Sequence, residues 1–183
     1  MEESSRRRIA TGPGAARGRA YRGFMTEQRA TAALEASGLD FTITRHGRVS
    51  SLAEAAAARG VRPRDIVKTL VVRRSAGEYL FVLVPGDREI SWPKLRALLG
   101  VNRLSMPDQQ VAKEATGYER GTITPFGSST AWPVIADTSL TGDPERIISL
   151  GAGAHGVAAT VNAEAALTSL DAQVADITEP QQS

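Results

Sequence analysis

The chain has 183 residues, 42% hydrophobic and 23% charged, which fits one soluble globular domain and leaves no run near the roughly 18 apolar residues of a membrane helix. It contains no cysteine and only two histidines, the widely separated His46 and His155. That excludes a disulfide framework, a thiolate nucleophile and a zinc site of the His-x-x-x-His type, while carboxylate-bound magnesium stays open. The 22 Lys and Arg exceed the 20 Asp and Glu by two, a mild hint of an anionic partner.

Residues 1–24 hold six Arg and two Glu among few large apolar side chains, so they cannot bury a core and are expected to form a disordered basic extension. Their composition also leaves open an Arg-rich presequence, a nucleic-acid-binding arm, or an over-long start ahead of Met25; no apolar run marks a secretory signal. The remainder carries 16 basic and 18 acidic side chains, so the domain expected at 25–178, before a short tail at 179–183, is slightly acidic.

In chain order, residues 26–37 read as a helix stopped by Gly38, and residues 40–45 alternate as a strand. Ser51 and Glu54 form a capping box before an alanine-rich helix that Gly60 ends. Residues 66–73 and 79–84 are two β-rich runs joined by a turn containing Gly77. Ser91 caps a third helix, with Pro93 in its first turn and Gly100 at its end. A short strand at 102–105 and a helix at 107–116 precede a turn-rich stretch, 117–129, too specific in composition for a mere connector. Strands at 134–137, 146–150 and 157–161 and a helix at 163–170 complete the pattern. The irregular interleaving predicts an α+β domain around a mixed, largely antiparallel sheet or barrel flanked by helices.

Gly151-Ala152-Gly153-Ala154-His155-Gly156 satisfies G-x-G-x-x-G, but no further βαβ unit follows it, so a tight connection between two strands is expected instead of a dinucleotide site. Lysine is more informative. Only three of the 22 basic residues are Lys, and Lys68 lies inside Ile66-Val67-Lys68-Thr69-Leu70-Val71-Val72, with apolar neighbours on both strand faces. Two readings are open: the side chain snorkels to water, or its ammonium meets a polar ligand. The loop Gly117-Tyr118-Glu119-Arg120-Gly121-Thr122-Ile123-Thr124-Pro125-Phe126-Gly127 is equally divided between an ordinary surface turn and an oxyanion or phosphate nest, in which Gly121 and Gly127 let peptide N–H groups approach a ligand.

Taken together, the strand around Lys68, the Val-Pro-Gly-Asp-Arg-Glu turn at 84–89, the Thr116-Gly117-Tyr118 turn, the loop at 121–127 and the strand ending in Asp137 resemble the YbaK/EbsC family. These are free-standing aminoacyl-tRNA deacylases related to the editing insertion of bacterial prolyl-tRNA synthetase. The resemblance runs over about residues 27–177. It implies a cytoplasmic enzyme without cofactor or metal that hydrolyses the ester of a mischarged tRNA. Its partners would be the tRNA acceptor end and prolyl-tRNA synthetase, with neither membrane nor DNA. By the same resemblance Lys68 holds the terminal adenosine or aminoacyl group, and peptide N–H groups of the loop, Gly121 and Thr122 foremost, stabilise the oxyanion. His46, Ile123, Thr124, Pro125, Gly127 and Asp137 would complete the substrate site. Thr122 and Thr124 stand where the family has Gly and Ser, and the bulk of Thr122 is expected to favour a small side chain, cysteine or alanine on tRNA for proline. Ala154 and His155 replace a Lys-Arg pair, removing charge that could meet RNA. A non-catalytic tRNA- or synthetase-binding module and a small-ester hydrolase are the alternatives.

Overall fold

The computed structural model describes residues 13–182, and it opens with helix α1, Pro13–Ala36. The helix starts at Pro13 instead of residue 26, so part of the expected disordered extension is helical. Ala15, Ala16, Ala20 and three arginines are strong helix formers, and Pro13 fits a first turn, which outweighs Gly18 and Gly23. Residues 1–12 lie outside the described residues.

The sequence pattern is followed by β1 (Phe41–Arg45), α2 (Leu52–Arg59), β2 (Val67–Ser75), β3 (Glu78–Pro85), α3 (Trp92–Leu99), α4 (Gln109–Thr116), β5 (Val134–Asp137), β6 (Ile147–Gly151), β7 (Val157–Asn162) and α5 (Ala163–Ser169), whereas the short strands β4 (Arg88–Ile90), β8 (Gln173–Ala175) and β9 (Thr178–Pro180) have no counterpart in it. Local chemistry fixes the helix ends. The Ser51 and Ser91 side chains accept from Glu54 N and Lys94 N, and Gly60 and Gly100 close their helices in the left-handed region, as side-chain caps and glycine stops require. The Glu54 carboxylate reaches back to Ser50 N, at 2.8 Å, one residue before the position a strict capping box would use.

The sheets are mixed and largely antiparallel, as expected. One has the order β1-β7-β6, all antiparallel; a second has the order β2-β3-β5-β8, antiparallel at β2–β3 and parallel beyond; β4 and β9 form a short antiparallel pair. A parallel bridge between Ile66 and Ser149 joins the first two. The expected strand at 102–105 reduces to one bridge, Ser105 to Arg73. The expected tail is partly structured, because β9 pairs with β4 and buried Thr178 accepts from Arg88 Nε at 2.6 Å.

Strand alternation divides the core. Val67, Val71, Phe81, Leu83, Val134 and Ala136 face one cluster with Leu34 of α1 and Ile148 and Leu150 of β6. Val72, Leu80, Val82, Val84 and Ile135 face a second with Leu95 of α3 and Ile177. The period-two pattern of β2 and β3 thus packs on both faces, and Lys68 shares the second face with Leu70 and Val72. The Gly151–Gly156 segment is the connection between β6 and β7, as expected.

Candidate active site

Strand β2 lies at the sheet edge, and along that edge opens a cavity of about 680 Å³. Its walls come from β2, the segment Met106–Gln109 before α4, the loop residues Arg120, Gly121 and Ile123, the end of α2 at Arg59, and Gly151 of β6. Lys68, Gly121 and Ile123 therefore meet in one hollow although more than fifty positions separate Lys68 from Gly121. Lys68 also lines a smaller adjoining hollow with Trp92 and Glu89, and the two share Leu70 and Met106 as a partition.

The Lys68 ammonium donates to the Arg88 carbonyl at 2.7 Å, leaving two N–H donors for a ligand. Burial lowers its pKa below the ordinary lysine value, opposed by the carboxylates of Glu89 and Asp87. Arg59 and Arg120 make the cavity cationic, while its one carboxylate, Asp108, is committed to capping α4 by accepting from Val111 N at 2.9 Å.

Two of these wall segments carry main-chain groups without a partner among the described residues. Arg73 N donates to the Ser105 carbonyl at 2.7 Å and Ser105 N to the Arg73 carbonyl at 3.3 Å, so the peptides of alternate residues of β2, Thr69 and Val71 among them, turn away from β3. No strand covers them at the cavity wall, and the Thr69 hydroxyl is buried without a hydrogen-bond partner. In the loop, the N–H groups of Gly121 and Ile123 have no acceptor among the described residues. Gly121 has φ +88°, a conformation natural to glycine.

The other expected site residues are placed elsewhere. The Thr122 N–H and hydroxyl both donate to the Glu119 carbonyl, at 2.9 and 2.7 Å. Its N–H is therefore spent within the loop, and its buried side chain lies outside the cavity lining. Thr124 is buried and its hydroxyl accepts from Phe126 N at 3.2 Å; Pro125 turns the loop outside the cavity wall. Gly127 has φ +74°, and an added Cβ would lie 2.6 Å from the Arg29 carbonyl oxygen and 2.7 Å from the Tyr118 hydroxyl. Its glycine permits α1 to pack, not a ligand to approach. Asp137 does not reach Lys68: its carboxylate accepts from Ser139 N and Ile177 N, at 3.1 and 3.2 Å. Burial opposes its ionisation, but these bonds together with Ser139 Oγ hold its pKa below the usual carboxylate value. His46 stands outside the wall, its Nε2 3.3 Å from Arg59 Nε, and touches the cavity only through that arginine.

The loop is held from behind. Arg29 of α1 donates to the carbonyls of Gly127 at 2.7 Å and Thr116 at 3.2 Å, with its guanidinium 4.6 Å from the Tyr118 ring centroid. Tyr118, fully buried, donates to the Phe126 carbonyl at 2.7 Å. Sequence reasoning missed Arg59, Arg120, Met106 and Thr69. Thr69 follows the singled-out lysine and Arg120 lies inside the singled-out loop, whereas nothing local marks Arg59 or Met106. Among the described residues no three His, Cys, Asp or Glu side chains cluster as a metal site, and no helix is long and apolar enough to cross a membrane.

The site is thus a cationic edge cavity of a mixed α+β domain, lined by a half-buried lysine and by loop residues whose N–H groups have no acceptor among the described residues. Comparison with known proteins gives the family. Residues 46–168 match the aminoacyl-tRNA editing domain, and the chain belongs to that family. The proline--tRNA ligase of Syntrophotalea carbinolica is 34% identical over 120 residues, covering 63% of this chain and 21% of the ligase. That of Pelobacter propionicus is 29% identical over 110 residues, 60% of this chain and 19% of the ligase. The chain thus spans about a fifth of the length of these relatives. A crystal structure described as a candidate trans-editing enzyme for prolyl-tRNA synthetase superposes with a TM-score of 0.75 at 27% identity, over 84% of this chain and 97% of that one.

Proposed function

We propose that the protein hydrolyses, in trans, the ester joining a wrongly attached amino acid to the terminal ribose of tRNA for proline, with cysteine or alanine as the amino acid. The observation that carries this reading is the convergence of Lys68 with the unpaired N–H groups of Gly121 and Ile123 on one cavity of an editing domain. Lys68 and the open peptide edge at Thr69 and Val71 hold the polar groups of the aminoacyl-adenosine end. Water adds to the ester carbonyl carbon, and the resulting oxyanion accepts from Gly121 and Ile123 N–H. The carbonyl re-forms as the ribose oxygen leaves and takes a proton from solvent. The ester is already activated, so no protein nucleophile is needed. One such donor is worth about 3 kcal/mol, or two orders of magnitude in rate.

The likeness to ligase editing regions and to the trans-editing candidate supports tRNA for proline. The Thr122 side chain lies outside the cavity lining, so the choice of a small amino acid rests on that likeness. The test is amino-acid release from a panel of mischarged tRNAs, set beside the matching small esters. Release from the tRNAs alone supports the reading. Equal turnover of small esters identifies an unspecific esterase, and tRNA binding without turnover identifies a binding module.

A further inference from the structure

Outside the cavity, the first half of α1 carries exposed positive charge with no acidic residue near it in sequence. Residues 4–26 contain no Asp or Glu, and Arg17, Arg19 and Arg22 are exposed on the helix. The rest of the chain, residues 25–183, is slightly acidic, with 16 basic against 18 acidic side chains, so its net charge cannot attract a polyanion.

The direction of this helix is fixed. Arg19, Arg22, Thr26 and Arg29 recur at spacings of three, four and three, which places them on one helix face. Thr26 and Arg29 anchor that face to the active-site loops: a Cβ on Gly153 would meet the Thr26 carbonyl oxygen at 2.5 Å, and Arg29 donates to the Gly127 carbonyl. The same loops supply Arg120, Gly121 and Gly151 to the cavity. From Thr26 back to Pro13 the helix projects about 20 Å at 1.5 Å per residue. The face that carries Arg19 and Arg22 continues the one docked against the catalytic loops. The opposite face carries the exposed Tyr21 and Phe24.

We propose that the Arg19–Arg22 face of α1 is an RNA-docking arm that grips the phosphate backbone of the tRNA acceptor stem while the charged end enters the cavity. It replaces the attraction that the acidic body lacks, and it supplies cations from outside the family's Lys-Arg turn, where Ala154 and His155 stand. The proposal rests on the deacylase reading for the identity of the polyanion. Arg22 and Arg19 are one helical turn apart, a spacing suited to successive phosphates, and each phosphate contact adds about one unit to the salt dependence of binding.

The test is binding of uncharged tRNA by the full chain, read by fluorescence anisotropy across a salt series, which does not depend on hydrolysis. The double variant Arg19→Gln with Arg22→Gln, which keeps helix-compatible side chains, is expected to bind about tenfold more weakly at about 0.1 M salt. Its slope of log K against log salt should be shallower by about two. Arg17→Gln, on the other face, is expected to change affinity less than twofold. With aminoacyl-tRNA, the double variant should raise KM and leave kcat unchanged. Unchanged affinity and slope in the double variant overturn the proposal. So does loss of tRNA binding in Tyr21→Ser with Phe24→Ser but not in the arginine variant, which would assign binding to the other face of the helix. A parent chain that fails to deacylate while the double variant still loses tRNA affinity sinks the deacylase reading and leaves the arm standing.

Discussion

Replacing Gly127 with alanine separates the scaffold of the loop from its chemistry. The new Cβ would sit 2.6 Å from the Arg29 carbonyl oxygen and 2.7 Å from the Tyr118 hydroxyl, at φ +74°. The left-handed backbone costs about 1–2 kcal/mol and the overlap with well-packed groups about 1–3 more, so a loss near 3 kcal/mol is expected. In a chain of this size that lowers Tm by about 6–12 °C. Gly121 has a similar φ, +88°, but a Cβ there would find only the His155 ring, at 3.5 Å; Gly121→Ala is expected to lose the conformational cost alone, about 1–2 kcal/mol. Urea unfolding of both variants gives the stabilities, and deacylation normalised to folded protein gives the chemistry. Gly127→Ala should be the less stable protein and Gly121→Ala the slower enzyme, because only Gly121 lines the cavity. A Gly127→Ala variant within 1 kcal/mol of the parent would refute the packing argument.

The buried pair of Arg146 with Asp65, Nε to Oδ1 at 3.0 Å, predicts that Arg146→Ala loses about 1.5–3 kcal/mol, measured by denaturant unfolding, since a charged hydrogen bond is lost while Arg62, at 2.9 Å, still pairs the carboxylate. Burial of Asp65 favours its neutral form, but bonds from Arg62 and Arg146 outweigh this and lower its pKa. Its contribution is present above the unfolded pKa and lost as pH falls through the folded one, so Tm should drop on acidification below about pH 4. Because burial lowers the Lys68 pKa, affinity for aminoacyl-tRNA should weaken as pH rises through that lowered value. In Lys68→Arg, charged throughout, the alkaline limb is expected to vanish from a binding titration.

The helices bounded by Ser51 and Gly60 and by Ser91 and Gly100 were readable because each cap is a contact within a few residues. The short strands β4, β8 and β9 were not: three residues carry little periodicity, and their pairing depends on partners such as Arg88 and Thr178, ninety positions apart. The start of α1 was missed because charge and glycine content argued for disorder while helix propensity argued otherwise, and the docking of Arg29 favours the latter. At the site, Lys68 announced itself as a lone cation in an apolar strand. Which loop peptides remain open could not be read, because the Thr122 N–H is consumed by Glu119 and Gly127 is dictated by α1, contacts that exist only in the folded chain. Arg59 and Met106 reach the cavity from separate segments and bear no local mark.

The central claim is that Lys68 and the open N–H groups of Gly121 and Ile123 serve one ester-hydrolysing site. The most direct measurement is kcat/KM for release of cysteine and alanine from tRNA for proline by the parent chain and by Lys68→Ala. The account predicts turnover by the parent and a loss of about 10- to 100-fold in the variant, the range for removing a charged hydrogen bond to a bound substrate. Equal rates for the two proteins on every mischarged tRNA would contradict it.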